Sequence, residues 1–208
     1  MKSLLVIVLS LCLASVALAE TTVNYGWEDG GTVLDIYPDA DSILATNVAG
    51  WTPAPVYEGN FSLRLEDNAE SGTPQAFLAY LWFLEEGDEV TVGFYRYDDT
   101  PEGSPSVRIW GHWNNMLPDD PTGYDGSAGG NEDYGPGTGW DYTENTWTVE
   151  AGMSGLVVEA RTYSGPGDTV FLDNLYVSVP DHAYVQIPGC SPVGNEHGSW
   201  SSVKNLYR

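Results

Sequence analysis

Short stretches of β-branched and aromatic residues, separated by turn-forming clusters, most restrict how this chain can fold. Seven stretches read as strands because they are rich in these residues and often alternate apolar with polar positions: 61–67, 75–83, 88–98, 106–114, 145–150, 155–163 and 169–179. Three less regular segments are further strand candidates: 23–28, 32–37 and 42–48. Gly, Pro, Asp and Ser fill the intervals between them, and the body has no capped helical period. The sequence therefore predicts an all-β protein.

The number and length of these strands predict the architecture. About nine strands in roughly 160 residues favour a two-sheet antiparallel jelly-roll sandwich, and an up-and-down barrel is the main alternative. Residues 115–141, rich in Gly and Asp, form an interval far longer than a hairpin connection. Long loops in compact domains are usually functional or disordered. Three aromatic residues in this interval favour an ordered loop: Tyr124, Tyr134 and Trp140.

Residues 1–19 have the pattern of a secretory signal peptide. An apolar run over 4–13 is followed by Ala17-Leu18-Ala19, an A-x-A cleavage site, so the mature chain is expected to begin at Glu20. The apolar run is shorter than the roughly 20 residues that span a membrane. We therefore predict a secreted protein of the bacterial cell exterior, without a membrane span.

The body and the tail are expected to be separate parts of the chain. The β-sandwich domain is assigned to 20–180, and 181–208 is assigned to a linker with a short C-terminal tail, SWSSVKNLYR at its end. Ser199 is placed to cap a short helix, which either docks on the body or acts as a sorting or cell-surface attachment segment. Cys190 is the one cysteine outside the signal peptide, so no intramolecular disulfide is expected.

Acidic residues dominate the charge balance. Lys and Arg number 7 against 30 Asp and Glu, which gives a formal net charge of −23. Such a surface disfavours binding to nucleic acid or to an anionic membrane. The sequence also lacks a G-x-S-x-G elbow, a P-loop, an H-E-x-x-H motif and a dinucleotide fingerprint. We therefore predict no nucleic-acid partner and no catalysis.

Strand alternation points to a binding groove. Trp110, between Arg108 and His112, is the best single candidate for a sugar platform, because pyranose rings stack on aromatic faces while charged and amide groups bind hydroxyls. Ten residues form the predicted ligand-binding set: Arg64, Tyr95, Tyr97, Arg108, Trp110, His112, Trp140, Glu159, Arg161 and Tyr163.

The same residue types also have structural interpretations. The arginines fit Arg–carboxylate pairs on an outer sheet face, Arg64 or Arg161 with Glu66 or Glu159. Tyr95 and Tyr97 fit cross-strand packing. Three other tryptophans are expected in the core: Trp82, Trp113 and Trp147.

Three short segments resemble a known family. Residues 26–30 (GWEDG) look like the opening, 59–65 (GNFSLRL) like an early strand, and 171–177 (FLDNLYV) like the closing strand of the secreted carbohydrate-binding sandwich modules related to the CenC-type cellulase module. Together they bracket 24–179. The resemblance implies a galactose-binding-like jelly roll that binds a polysaccharide or glycan. The segment 108–113 (RIWGHW) lies outside the family pattern and indicates a distinct branch.

The resemblance also implies a structural calcium ion. Carried over residue by residue, its ligands are Glu28 and Asp173, with Asp29 and Asn174 as weaker additions. Ca²⁺ takes six to eight oxygen ligands from carboxylates and carbonyls. An ion that ties the first strand to the last would anchor a sandwich without a disulfide. The alternative is that Glu28 and Asp173 are solvated carboxylates at strand ends.

These inferences combine into one functional prediction with two alternatives. The prediction is a secreted, non-catalytic carbohydrate-binding module with an aromatic and polar groove and a fold supported by calcium. The first alternative is a structural or adhesive protein of the cell surface or matrix that binds another protein. The second is a small glycan-active hydrolase or lyase, since jelly rolls can hold two carboxylates across a cleft.

Overall fold

The computed structural model describes residues 19–50, 55–98, 107–136, 138–163, 165–189 and 193–194. Residues 1–18 of the predicted signal peptide, Cys190 and the predicted C-terminal helix at Ser199 lie outside these ranges. Within them, no helix is long and apolar enough to cross a membrane.

Strands account for all the regular structure of the described ranges. They follow in the order β1 Glu20–Tyr25, β2 Asp35–Tyr37, β3 Ile43–Ala49, β4 Phe61–Asp67, β5 Gln75–Trp82, β6 Glu89–Asp98, β7 Val107–Trp113, β8 Gly126–Gly130, β9 Gly139–Thr148, β10 Gly155–Thr162, β11 Thr169–Pro180, β12 Tyr184–Gln186 and β13 Val193–Gly194. The all-β prediction is confirmed.

The strands form two open sheets that pack face to face. One sheet has the order β3-β4-β11-β6-β9, with β1 also paired to β11. The other has the order β13-β12-β5-β10-β7-β8, with β2 also paired to β5. The described strand pairs are antiparallel, as in the register of β6 with β9 and of β10 with β7. The two-sheet sandwich is therefore confirmed, and the barrel alternative is wrong.

The core lies between the sheets, where alternate side chains of both meet. Phe94 of β6, Ile109 of β7 and Leu156 of β10 are fully buried there, together with Trp27 from the segment after β1. Fully burying one such side chain contributes roughly 1.5–3 kcal/mol. The predicted core position of Trp82, Trp113 and Trp147 is confirmed by their burial, although Trp82 packs in a second cluster with Phe77 and Tyr80.

The 115–141 interval contains structure that the sequence pattern does not reveal. Gly126–Gly130 forms β8 at the edge of the seven-stranded sheet, and β9 begins at Gly139. A Cβ added at Gly130 would collide with the backbone oxygen of Ile109 and would lie 2.9 Å from Cε3 of Trp110. Only glycine allows this approach at position 130, and Gly126 and Gly129 have positive φ, so the strand has few of the residue types that favour strands.

The segment after Pro180 adds a strand to the same sheet. β12 pairs with β5, and Val185, which is fully buried, lies opposite Leu81. This strand falls in the segment that the sequence assigns to the linker. Three residues are too few to show alternation, so the pattern could not indicate it.

Candidate functional site

Six of the ten predicted ligand residues lie together on the outer face of the seven-stranded sheet. In the register of β10 with β7, Glu159 lies opposite Trp110 and Arg161 opposite Arg108. The core takes the intervening positions, including Ile109 of β7. His112 and Tyr163, which follows β10, complete the group. Alternation in these two strands therefore predicts the shared face correctly.

A buried carboxylate organises the centre of this face. Glu159 is fully buried, and it accepts hydrogen bonds from Nδ1 of His112 and, at 2.7 Å, from Nε of Arg161. An ionised carboxylate only accepts, so the bond fixes the proton of a neutral His112 ring on Nδ1. Nε2 is then an acceptor, and no hydrogen bond to it is found among the described residues. The free-energy cost of burying the Glu159 carboxylate is thus offset by the Arg161 guanidinium and by the N–H of His112.

Arg161 is held by one nitrogen only. Its Nε is bound to Glu159, whereas the two terminal nitrogens make no hydrogen bond within the part of the chain that the structure describes. The guanidinium carbon lies 4.7 Å from the ring centroid of Trp110. The side chain is therefore oriented by Glu159 and Trp110 while two of its donor groups remain free for a ligand.

A cleft of about 590 Å³ opens beside this network. His112 and Arg161 line it, with eight further residues from β2 and its end, β5 and the β7–β8 connection: Asp35, Ile36, Tyr37, Pro38, Gln75, Phe77, Thr122 and Tyr124. Tyr37 is 55% exposed and Tyr124 is 66% exposed, so both rings are accessible to a ligand. The cleft combines apolar ring surface with a few polar groups, which is the usual composition of a ligand site.

His112 is packed between two of the rings of the cleft. Its ring centroid lies 5.5 Å from that of Phe77 and 5.4 Å from that of Tyr124. The sequence does not indicate Phe77, Tyr37, Gln75 or Asp35 as ligand residues, because β2 and β5 come to lie beside β10 only through sheet pairing. For Tyr124 the sequence predicts only a place in an ordered loop.

Trp110 has a different environment from the one expected of a sugar platform. Its ring faces two guanidinium groups, with Arg108 Cζ at 4.4 Å and Arg161 Cζ at 4.7 Å from its centroid. Its Nε1 donates to Ser127 Oγ at 3.0 Å. Cation–π contacts of this kind stabilise the ring and the cations together. Trp110 thus supports the arginines.

Arg108 is enclosed by aromatic rings. Its Cζ lies 4.7 Å from the Tyr134 centroid and 4.9 Å from the Tyr163 centroid. The guanidinium donates to both phenolic oxygens, at 2.9 Å and 2.7 Å, and to Glu132 at 3.0 Å. Its side chain is 8% exposed. These contacts fasten the residues before β9 to the sheet face.

The other four predicted ligand residues lie on the six-stranded sheet. Arg64 of β4 is paired with Glu66 at 2.5 Å. Tyr95 and Tyr97 belong to β6, and Trp140 belongs to β9. The outer faces of the two sheets point in opposite directions, so the ten residues divide between two surfaces.

Glu28 and Asp173 approach each other at the junction of the first and last long strands. Glu28 accepts the backbone N–H groups of Asn60, at 2.8 Å, and of Phe61, at 3.0 Å. The backbone and side-chain hydrogen bonds from Asn60, with the bond from Phe61, lower the pKa of the Glu28 carboxyl below its usual range.

Asp173 is fully buried in the same region. It accepts backbone N–H groups from Tyr57 at 2.9 Å, Glu58 at 3.1 Å and Asn174 at 2.8 Å. Burial raises the pKa of the Asp173 carboxyl above its usual range; these hydrogen bonds oppose that effect, and the negative charge of Glu28 adds to it. A cation beside Asp173 would remove this penalty on its ionised form.

The four predicted calcium ligands are only partly brought together. A Cβ added at Gly26 would lie 3.4 Å from Asn174 Oδ1, 3.7 Å from Asp173 Oδ1 and 3.9 Å from Glu28 Cγ, so these three side chains border one small space. Asp29 is turned away and accepts the hydroxyl of Tyr25 at 2.6 Å. The described residues contain no cluster of three or more Asp, Glu, His or Cys side chains that could hold a metal ion.

The sequence matches no protein-family model and no curated protein. Solved structures do resemble this one. The N-terminal CBM22-1–CBM22-2 tandem domain from Paenibacillus barcinonensis Xyn10C is 14% identical with a TM-score of 0.52, over 80% of this chain and 48% of that chain. The CBM22-1 xylan-binding domain of the same protein is 14% identical with a TM-score of 0.49, over 79% of this chain and 98% of that chain.

A further neighbour is TmCBM61 in complex with β-1,4-galactotriose, which is 17% identical with a TM-score of 0.43 over 73% of this chain and 92% of that chain. The similarity to the CBM22 tandem domain, at 14% identity, is one of fold alone. This chain has the two-sheet jelly-roll fold of the carbohydrate-binding sandwich modules, as the three short sequence segments predict.

Proposed function

We propose that this protein is a secreted, non-catalytic carbohydrate-binding module, and that the cleft beside His112 and Arg161 takes a neutral polysaccharide or glycan. The observation that carries the proposal is the cleft itself. Exposed rings of Tyr37 and Tyr124 lie with His112, Arg161 and Gln75 around one space of about 590 Å³. Rings offer stacking surface to pyranose faces, and the polar groups offer hydrogen bonds to hydroxyls.

The charges of the cleft favour a neutral ligand. Glu159 neutralises Arg161, and Asp35 adds a negative charge to the wall. The whole chain carries a formal net charge of −23, so long-range attraction of a polyanion is unfavourable. Hydroxyl groups can accept from the free donors of Arg161 and can pair with Nε2 of His112 without any net charge on the ligand.

The buried carboxylate supports binding rather than catalysis. A glycosidase needs two carboxyl groups flanking the scissile bond, one of them free to transfer a proton. Glu159 is fully buried and both its oxygens are engaged, by His112 and by Arg161. Its role in the proposal is to hold two ligand-contacting side chains in place.

The test of the proposed function is a panel of neutral polysaccharides in affinity electrophoresis, with chain 20–208 as the sample. We expect retardation by at least one polysaccharide, and loss of it in the Tyr37→Ala/Tyr124→Ala double variant. The Phe83→Ala variant is the matched control, because Phe83 is 59% exposed and lies outside the cleft. Equal retardation of the double variant and the parent would contradict the cleft as the site.

The proposed function includes a structural calcium ion between Glu28 and Asp173, supported by their proximity and by the amide oxygen of Asn174. The ion would supply positive charge beside a buried carboxylate. Binding at 100 times Kd stabilises a fold by about 2.7 kcal/mol, which is a rise of roughly 5 °C or more in Tm for a chain of this size. Differential scanning calorimetry with calcium and with EDTA measures this rise.

The pH dependence of the calcium effect has a definite sign. Because burial raises the pKa of Asp173, the calcium-free fold loses stability as pH rises through that folded-state pKa. Calcium offsets the loss, so its effect on Tm should be larger at pH 7 than at low pH, where Asp173 is protonated. The Asp173→Asn variant should lose the calcium response. An identical Tm with calcium and with EDTA at pH 7 would contradict the calcium proposal.

A further inference from the structure

The outer face of the six-stranded sheet carries a connected group of aromatic rings, here called the aromatic face: Tyr57, Tyr95, Tyr97, Trp140 and Tyr142. In the pairing of β6 with β9, Tyr95 lies opposite Tyr142 and Tyr97 opposite Trp140. Two cross-strand pairs therefore form successive rows on one side of the sheet. Tyr57, from the segment before β4, adds a fifth ring over them.

The rings contact one another across the rows. Tyr57 stacks on Tyr95 with a centroid distance of 3.6 Å and an interplanar angle of 15°. Tyr57 also meets the edge of Trp140 at 5.4 Å, and Tyr97 meets Trp140 at 5.4 Å. Tyr142 lies 5.0 Å from Tyr95. The result is a continuous aromatic surface rather than separate rings.

Gly93 allows Tyr142 to lie over the sheet. A Cβ added at Gly93 would collide with the Tyr142 hydroxyl and would be 2.7 Å from its Cζ. The Tyr142 ring thus lies over Gly93, which has no side chain on the outer face of β6. Tyr142 is held there by a hydrogen bond from its hydroxyl to Glu144 at 3.1 Å.

Core packing does not explain this surface. The apolar side chains of β6 that fill the core, Val92 and Phe94, point to the opposite side and are fully buried. Tyr57 is 42% exposed and Tyr142 is 38% exposed. Cross-strand packing accounts for two pairs of rings, but it does not require a fifth ring from a distant segment to extend them.

The charges around the aromatic face favour a neutral ligand. Arg64 on the same sheet is already paired with Glu66. Glu144 and Glu58 add negative charge near Tyr142 and Tyr57. Burial and the hydrogen bond to Glu144 raise the pKa of Tyr142 to about 12, so the phenol stays protonated at neutral pH. A polyanion would meet repulsion here, whereas a neutral chain of pyranose rings would meet stacking surface and hydroxyl partners.

We propose that the aromatic face is a second glycan-binding site, which takes a neutral polysaccharide by ring stacking and acts independently of the cleft. That the ligand is a glycan rests on the proposed function. The position of the site is argued from the ring contacts alone. The two sites lie on opposite faces of the sandwich. One molecule would then engage two polysaccharide chains, or two segments of one chain, and gain avidity from the second contact.

The experiment measures the binding of six proteins to four neutral polysaccharides, namely xylan, galactan, mannan and a soluble cellulose derivative, by isothermal titration calorimetry. They are the parent chain, the cleft variant Tyr37→Ala/Tyr124→Ala, the aromatic-face variant Trp140→Ala/Tyr142→Ala, the combined variant with all four substitutions, the Gly93→Ala variant and the control Phe83→Ala. Gly93→Ala is a milder probe, because it displaces Tyr142 without removing any aromatic ring. Near-ultraviolet circular dichroism and Tm establish that each variant is folded.

The expected result is residual binding by the cleft variant that is lost when the aromatic-face substitutions are added. The aromatic-face variant alone should lose about tenfold in avidity, which corresponds to about 1.4 kcal/mol. Gly93→Ala should weaken binding in the same direction.

Three results would overturn the inference. If the cleft variant alone abolishes all binding, or if the folded aromatic-face variant binds like the parent, the second site does not exist while the proposed function stands. If only the aromatic-face variant loses binding, the inference stands and the cleft is wrong. If the parent binds none of the polysaccharides, both proposals fail.

Discussion

The two outer faces of this sandwich are built by the same alternation of residues but carry different chemistry. On the seven-stranded sheet, a buried carboxylate, Glu159, fixes His112 and Arg161 beside a cleft. On the six-stranded sheet, the rings of Tyr95 and Tyr142 lie 5.0 Å apart over the strands, and the ion pair of Arg64 with Glu66 is partly exposed. The first face can position directional hydrogen bonds, whereas the second offers broad stacking surface. The difference predicts that substitutions on the first face cost stability and those on the second cost mainly binding.

The largest expected effect is at Glu159. Its replacement by Ala leaves His112 and Arg161, whose side chains are 6% and 17% exposed, without their shared acceptor. Removing one partner of a buried ion pair costs about 3–5 kcal/mol. Urea denaturation should therefore show a loss of at least about 3 kcal/mol for Glu159→Ala. A loss below about 1 kcal/mol, the range of exposed pairs, would show that the network is not structural.

An intermediate effect is expected from adding a methyl group at matched glycines of the two faces. At Gly130 the added Cβ meets the backbone oxygen of Ile109, which cannot move without displacing β7. At Gly93 it meets the end of the Tyr142 side chain, which can rotate away, and it lies 2.9 Å from Cβ of Glu144, a milder contact than the one with the backbone oxygen at Gly130. Overpacking against backbone costs about 1–3 kcal/mol, so Gly130→Ala should be the less stable variant. Equal thermal midpoints for the two variants would remove this distinction between the faces.

The smallest expected effect is at Glu66, the partner of Arg64 on the six-stranded sheet. Both side chains are partly exposed, at 26% and 28%. Exposed ion pairs contribute about 0–1 kcal/mol, so Glu66→Ala should change the unfolding free energy by less than about 1 kcal/mol. A loss as large as that of Glu159→Ala in the same urea titration would mean that the two faces do not differ in this respect.

The sequence predicts the sandwich because strands with one buried face must alternate. It predicts the shared face of Arg108, Trp110 and His112 for the same reason. It also indicates the Arg–carboxylate pairs of Arg64 and Arg161, both present in the structure. Alternation within a strand does not indicate which sheet the strand joins. The residues predicted to line one groove therefore lie on the outer faces of two different sheets.

Other features of the site depend on contacts between distant segments. Phe77 and Tyr37 reach the cleft because β2 and β5 pair beside β10, and no local pattern reveals this pairing. Tyr57 joins the aromatic face from a segment without a strand pattern. β8 escapes prediction because glycine occupies three of its five positions: Gly130 approaches β7 closely, and Gly126 and Gly129 have positive φ.

The most direct test of the central claim is to map where a neutral oligosaccharide binds. Backbone amide signals of isotope-labelled chain 20–208 would be followed by NMR during titration with an oligosaccharide of the polysaccharide retained most strongly. The account predicts saturable shifts at Gln75, His112, Tyr124 and Arg161, which line the cleft. Saturable shifts elsewhere, with the signals of these four residues unchanged, would contradict it.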